Sequence, residues 1–357
     1  MEFGLSQEQI LLQDSVNRFL TDQVPLNDTV RKIAAGEESD AAVWQGLTDL
    51  GIAGLLIAEN KGGVGLGFLD AVVVAECLGY HATPAPFIST AVMAALTLGA
   101  ASGQEDLLAS LSTGEKRVGI AFGEAIAARR GGGVTADKKD RLNGKSLFAL
   151  DTDADTYLVA TADKNIFLVD ANADGLTRNS LTTVDKTRST CELVYNNVMA
   201  ELVCDDVNTL ARVLDAGRVM MAADTLGAAQ SMLDKAVAYA KERKQFNRVI
   251  GSFQAVKHMC AEMVANLEPC RSMVWYAAHC LDEVPEEAHL MSCHSKALLS
   301  EVGQFVAKTA TEVHGGMGFT DLVGLHYWFK RIGFNRQLLG SPEILREEAA
   351  ICQGLVA

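Results

Sequence analysis

Glycines 62, 63, 65 and 67, and eight cysteines, are the residues whose type and spacing first suggest chemistry. Crowded glycines can bring backbone N–H groups up to a dinucleotide pyrophosphate. That fingerprint, however, needs a preceding strand, a G-x-G-x-x-G spacing and an acid about 20 residues on. Here the spacing is G-G-x-G-x-G, and the segment that follows, FLDAVVVAECLGY, is apolar on most sides. The loop therefore reads as a close backbone approach that feeds a buried helix. The cysteines, at 77, 191, 204, 260, 270, 280, 293 and 352, form no C-x2-C pair. Reduced, mostly buried thiols are expected, with neither a zinc site nor a disulfide framework.

Three successive regions have to carry these residues. The length of 357 residues suggests two to three domains, and 49% hydrophobic residues supply a sizeable core. Residues 1–112 read as helical: Ser6 and Gln9 form a capping-box signature, Ile10, Leu11, Val16 and Phe19 recur at helical spacing, and a second periodic stretch, Ala42 to Leu50, ends at Gly51. Over residues 113–205 the period changes to two, with short runs such as RVGIAFGE, DTYLVATA and NIFLVDA between Asp, Asn, Gly and Thr clusters. A central, mostly antiparallel β-domain is expected, with a hairpin turn at Asn143-Gly144 and a further turn in ARRGGG at 128–133. Residues 206–357 return to helix: Leu210 through Val249 forms one periodic run, and Lys296 to Val313 places Leu298, Val302, Phe305, Val306, Thr309 and Val313 on one face. Long helices with short connections predict a bundle, and the whole an α+β multidomain fold.

Lys plus Arg is 31 and Asp plus Glu is 45, a net charge of −14 that repels a phosphate backbone. Nucleic acid and anionic membranes are not expected partners. The start, MEFGLSQEQ, lacks a basic n-region, and no apolar run reaches the 18 residues of a membrane span. A soluble, cytoplasmic protein without membrane insertion is expected.

Two further stretches carry a family resemblance. AYAKERKQFNRVIGSFQAVKHMCAEM, at 238–263, resembles the acyl-CoA dehydrogenase helix in which an Arg, a nearby aromatic and an Ile-x-x-Phe/His-Gln turn follow one another. TEVHGGMGFTDLVGLHYWFKR, at 311–331, is similar to the Gly-Gly-x-Gly-Phe signature of that family and the helix after it. With KGGVGLGFLDAVVVAEC, the likeness spans nearly the whole chain. It implies a helical N-terminal domain, a central β-domain, a C-terminal four-helix domain, and flavin-dependent α,β-desaturation of an acyl-CoA thioester. The resemblance implies that Arg243, Phe246 and Gln254 hold the ADP half of FAD, and that Gly315 and Gly316 let backbone N–H groups approach its phosphates. Glu312 stands where the family commonly has Gln, so an acid there would face the phosphates.

The chain departs from the family where the reaction needs a base. The usual Glu position is Leu339, and the less common one, just before the matching Arg218, is Gly217. The nearest carboxylates in sequence are Asp215, Asp224 and Glu343, each also readable as a cap or surface charge. The family's ring-covering loop corresponds to the shorter AFGEAIAARRGGGVTAD, and its Trp-x-Thr strand to Phe148 and Leu150, where Phe148 reads either as a flavin neighbour or as core. This combination resembles the subunit lacking the catalytic Glu in bacterial α2β2 acyl-CoA dehydrogenases, including those acting on steroid side chains. The implied partners are a base-bearing paralogous subunit, an acyl-CoA of β-oxidation or steroid catabolism, and an external acceptor such as an electron-transfer flavoprotein. A self-sufficient homo-oligomeric FAD enzyme with a non-standard base, or a flavin-free structural subunit, are the other readings.

Overall fold

The computed structural model describes residues 4–127 and 132–356, so residues 128–131 of the expected ARRGGG turn lie outside the described residues. The N-terminal part comprises α1 (Gln7–Gln23), α2 (Arg31–Ala35), α3 (Ala41–Asp49), α4 (Phe68–Tyr80), α5 (Ala95–Ala100) and α6 (Glu105–Ser112). The capping box is present at the start of α1: Gln9 N donates to Ser6 Oγ at 3.2 Å and Ser6 N to Gln9 Oε1 at 3.0 Å. The glycine loop is a close backbone approach, since a Cβ on Gly63 would stand 2.1 Å from Ile57 O. It feeds α4, whose first free N–H, on Phe68, donates to Asp282 at 2.8 Å. Every residue of α4 from Ala71 to Gly79 is buried.

The middle of the chain folds into β1 (Val118–Ala121), a short helix α7 (Gly123–Ile126), β2 (Gly133–Ala136), β3 (Arg141–Leu150), β4 (Thr156–Ala160), β5 (Ile166–Asp170), β6 (Leu176–Ser180), β7 (Thr190–Met199) and β8 (Glu201–Cys204). These strands form one sheet in the order β6-β7-β3-β1-β4-β5-β8, with β2 also on β3. Among the described residues, only β1 and β4 pair in parallel. The period of two sorts the side chains: Tyr157, Val159 and Phe167 build a core on one face, while Leu158 and Ile166 pack towards the helices.

The Asn143-Gly144 turn does not form. Strand β3 runs through both residues, and the connection to β2 lies at Asp137–Asp140, where Asp140 N donates to Asp137 O at 3.1 Å. Asp137 accepts from Lys139 N and Arg141 N and so supplies the turn itself. Gly144 instead serves a bulge, where a Cβ would be 2.1 Å from Gly133 O.

Helices α8 (Val207–Glu242), α9 (Gln254–Glu283), α10 (Pro285–His314), α11 (His326–Asn335) and α12 (Pro342–Cys352) complete the chain, with a two-stranded hairpin, β9 (Lys244–Gln245) and β10 (Arg248–Val249), after α8. Helix α8 starts where Asp206 accepts from Asn208 N and Thr209 N. It ends before the Val249 expected from periodicity, because Phe246 and Asn247 adopt φ of +51° and +62°, the two-residue hairpin turn that matches strand twist. Helices α4 and α8 touch backbone to backbone: a Cβ on Gly79 would lie 1.9 Å from Asp224 O, and one on Gly227 1.9 Å from Glu76 O.

Candidate functional site

The turn joining α11 to α12 carries Leu339, in the left-handed region at φ +55° and only 7% exposed. Two cations hold this turn by its carbonyls. Arg218 Nε donates to Leu339 O at 3.0 Å, and Lys296 Nζ to Asn335 O at 2.9 Å and Gly340 O at 3.0 Å. Burial, with Arg218 and Arg336 nearby, pushes the Lys296 ammonium down to about 7.

Leu339 faces Gly217. A Cβ on Gly217 would meet Leu339 Cδ1 at 2.7 Å and Met93 Sδ at 2.8 Å. Met93 comes from a wholly buried π-helical segment, Phe87–Ala94, inserted between α4 and α5. The two positions expected to bear a base thus adjoin one another, and both are apolar.

None of the three carboxylates named from sequence is at liberty. Asp224 accepts from Arg331 Nε at 3.0 Å and Nη2 at 2.6 Å and from Asn335 Nδ2 at 2.7 Å, and pairs with Arg188 Nη2 at 2.8 Å. Arg188 also donates to Asn335 Oδ1. Burial alone would raise the Asp224 carboxyl, but Arg188 and Arg331 overcome it and hold the group at about 2. Asp215 accepts from Ser292 Oγ at 2.7 Å and lies 3.0 Å from His289 Nδ1. Glu343 is at the surface, 2.9 Å from Arg336. The Ser341 hydroxyl and its own backbone N–H draw Glu343 down to about 2.

Phe148 and Leu150 end β3 beyond a bulge between Ser146 and Ala149. Phe148, at φ +55° and 36% exposed, is not core, and its ring lies 6.4 Å from that of Phe334 in edge-on contact. Leu150 is buried and joins the main core. Beneath Leu150 lies a cavity of 40 Å³ lined by Leu78, Phe87, Ile88, Met221 and Arg188.

At the other end of the bundle, Arg243 follows the last turn of α8, with its N–H on Tyr239 O at 2.8 Å. Tyr239 stacks on His314 with centroids 4.5 Å apart, which brings Arg243 to the same end as Gly315 and Gly316 at the close of α10. Among the described residues the Arg243 side chain has no hydrogen-bonding or ionic partner. Phe246, at the hairpin tip, is 87% exposed. Gln254 opens α9, where Arg248 lies 3.9 Å over the Phe253 ring. Gly315 has φ +59°, and a Cβ on either glycine would meet nothing within 4 Å. Glu312 is exposed one turn before them. Sequence reasoning missed the buried Lys296, Arg331 and Asn335 and the partly buried Arg188, polar residues that hold the Leu339 side of the site together.

The family model for the acyl-CoA dehydrogenase N-terminal domain matches residues 6–115, and that for the C-terminal domain matches residues 207–351. The chain is 29% identical over 351 residues to the acyl-CoA dehydrogenase IpdE2 of Mycolicibacterium smegmatis, covering 97% of this chain and 100% of that one. It is 26% identical over 383 residues to the mitochondrial short/branched chain specific acyl-CoA dehydrogenase of Bos taurus, covering 97% and 86%. Among solved structures, the Tcur3481-Tcur3483 steroid ACAD G363A variant superposes with a TM-score of 0.87 at 28% identity over 98% of both chains. Butyryl-CoA dehydrogenase from Megasphaera elsdenii shares the fold, with a TM-score of 0.88 at 22% identity over 99% of this chain and 100% of that one. Matched at both ends by family models and along its length by these relatives, the chain belongs to the acyl-CoA dehydrogenase family, FAD-dependent oxidoreductases acting on CH–CH bonds.

Proposed function

We propose that this chain is the subunit of an acyl-CoA dehydrogenase that contributes the ADP end of an FAD site, while a paralogous subunit carries the base. The observation that carries this reading is the Leu339–Gly217–Met93 contact, which fills with hydrocarbon the place where an acid is needed. Asp224, saturated by cations, and Asp215, committed to Ser292 and His289, offer no substitute, which disfavours the self-sufficient enzyme.

The residues at the other end fit the ADP half of FAD. Arg243 offers an uncommitted guanidinium fork, Gly315 and Gly316 present backbone with open space where a Cβ would be, and Phe246 exposes a ring in a conformation that aromatic residues rarely adopt. Gln254 adds the positive end of a 30-residue helix. Glu312, exposed one turn before the glycines, would work against a bound anion. Arg243 would bind and orient, and Leu339 and Met93 would exclude water from the base position. Bound FAD supplies the hydride acceptor for α,β-desaturation.

A bulky acyl-CoA, such as one with a steroid side chain, is in keeping with the steroid ACAD likeness. An electron-transfer flavoprotein as acceptor is in keeping with 26% identity over 337 residues to the caffeyl-CoA reductase-Etf complex subunit CarC of Acetobacterium woodii. Eight free cysteines suit a reducing, cytoplasmic setting. No helix among the described residues is long and apolar enough to cross a membrane.

The test is to express the chain alone and with a base-bearing paralogue, then record flavin spectrum and native mass. A flavin-poor single chain that becomes a yellow hetero-oligomer supports the proposal. A yellow, active homo-oligomer overturns it in favour of a self-sufficient enzyme, and a hetero-oligomer without flavin favours a structural role.

A further inference from the structure

Where α8, α10 and α12 meet, His289, Cys293 and Glu348 bring an imidazole nitrogen, a thiol sulfur and a carboxylate oxygen within 4.8 Å of one another. His289 and Cys293 sit four residues apart on α10, so both project from the same face one turn apart. His289 Nε2 and Cys293 Sγ each lie 3.8 Å from Glu348 Oε2. We propose that these three side chains form a binding site for a zinc-class divalent transition metal, unrelated to the flavin.

Three observations support the assignment. The first is the imidazole's orientation. Asp215, 5% exposed, lies 3.0 and 3.1 Å from His289 Nδ1 and is itself fixed by Ser292 Oγ at 2.7 Å. With Nδ1–H held by a carboxylate, Nε2 is left as the acceptor, 3.8 Å from Glu348 Oε2, the outer-shell arrangement common to metal-bound histidines. The second is spacing. Tetrahedral bonds of about 2.0–2.3 Å place ligand atoms roughly 3.3–3.7 Å apart, so the two 3.8 Å separations to Glu348 need to close by a few tenths of an ångström, and the His289–Cys293 pair, within 4.8 Å, by about 1 Å at most. The third is access. Cys293 is buried, but the side chains of His289 and Glu348 are 42% and 27% exposed, which leaves a route in and room for a water as fourth ligand.

Arg218 is the opposing term. Its Nη1 and Nη2 bind Glu348 Oε2 and Oε1 at 2.7 and 3.0 Å, and Nη1 lies 3.7 Å from Cys293 Sγ. A cation on Oε2 displaces the Nη1 bond, leaving Nη2 on Oε1 and Nη1 with Asp215 Oδ1 at 3.4 Å. The charges then close: Asp215, Glu348 and a Cys293 thiolate are offset by Arg218 and the divalent ion. The Cys293 proton leaves to solvent as the sulfur–metal bond forms. The pattern escapes a search for C-x2-C because two of its ligands are one helical turn apart on α10 and the third comes from α12.

Cobalt(II) added to the purified, chelator-treated protein is the direct probe, because a cysteine ligand gives a sulfur-to-metal charge-transfer band and tetrahedral geometry gives visible d–d bands. Both are expected for the wild type, with zinc displacing the cobalt. C293S should abolish the charge-transfer band, C352S should retain it, and D215N should weaken affinity about 10–100-fold. Absence of the bands at saturating cobalt, or a charge-transfer band that survives C293S, overturns the proposal. Should C293S fail to fold, H289Q at the half-exposed position gives the same decision: unchanged cobalt affinity refutes the site, and lost affinity upholds it.

Discussion

Replacing Asp224 by Asn tests whether this buried carboxylate is a structural anion rather than a base. The substitution keeps the shape and removes the charge that faces the buried Arg331 and Arg188, whose side chain is 9% exposed. Breaking one partner of a buried ion pair costs about 3–5 kcal/mol, because uncompensated charge remains in the interior. A second route gives a similar order. An aspartate held at about 2 instead of its ordinary 3.8 contributes roughly 2 kcal/mol through ionisation alone. This carboxyl is lowered on folding, so its contribution is present above about pH 4 and is lost as the pH falls towards 2. With an unfolding entropy of about 2.1 cal/mol/K per residue, a chain of 357 residues loses roughly 1.3 °C of Tm per kcal/mol. D224N should therefore melt about 4–7 °C lower at pH 7 by calorimetry, and the deficit should shrink in acid. A Tm within 1 °C of wild type would refute the structural role and return Asp224 to the candidates for the base.

Lys296→Met removes a buried ammonium held at about 7, and its effect on stability should carry a pH signature rather than a fixed cost. This folded-state value lies below the ordinary lysine value, so wild-type stability relative to the variant should rise between pH 7 and 10 by about 1.4 kcal/mol per pH unit, and a pH-independent Tm difference would count against it. Arg243→Ala should weaken FAD retention by the flavin-containing complex about 10–100-fold, read as flavin content after gel filtration; unchanged content would remove this arginine from the site. Leu339→Glu alone should not make the single chain turn over acyl-CoA, because Met93 and the Leu150 side remain closed; measurable turnover without a partner would show that only the base was lacking.

The sequence made several elements legible because their signals are local. The capping box at Ser6, the glycine approach before α4 and the period of two across the sheet each depend on residues within a few positions of one another. The hairpin expected at Asn143-Gly144 failed for the complementary reason: the dipeptide suits a turn, but the Asp137 carboxylate organises one over residues 137–140 and Gly144 is used for a bulge. The end of α8 was misplaced because apolar periodicity continues through Val249 while Phe246 and Asn247 turn the backbone left-handed. The ion network around Asp224 was out of reach, since its members at 188, 224, 331 and 335 come from different parts of the chain and periodicity reports burial without naming partners.

The glycine contact between α4 and α8 limits how this scaffold can diversify. With Gly79 and Gly227 each pressed to within 1.9 Å of a carbonyl at the Cβ position, main-chain spacing alone sets the seam, and no larger residue fits without prying the helices apart. Selection for a different cargo cannot widen the interior along that line. Variation in what the scaffold accommodates should instead concentrate in the Phe87–Ala94 segment, where Met93, an unbranched filler, packs against Gly217.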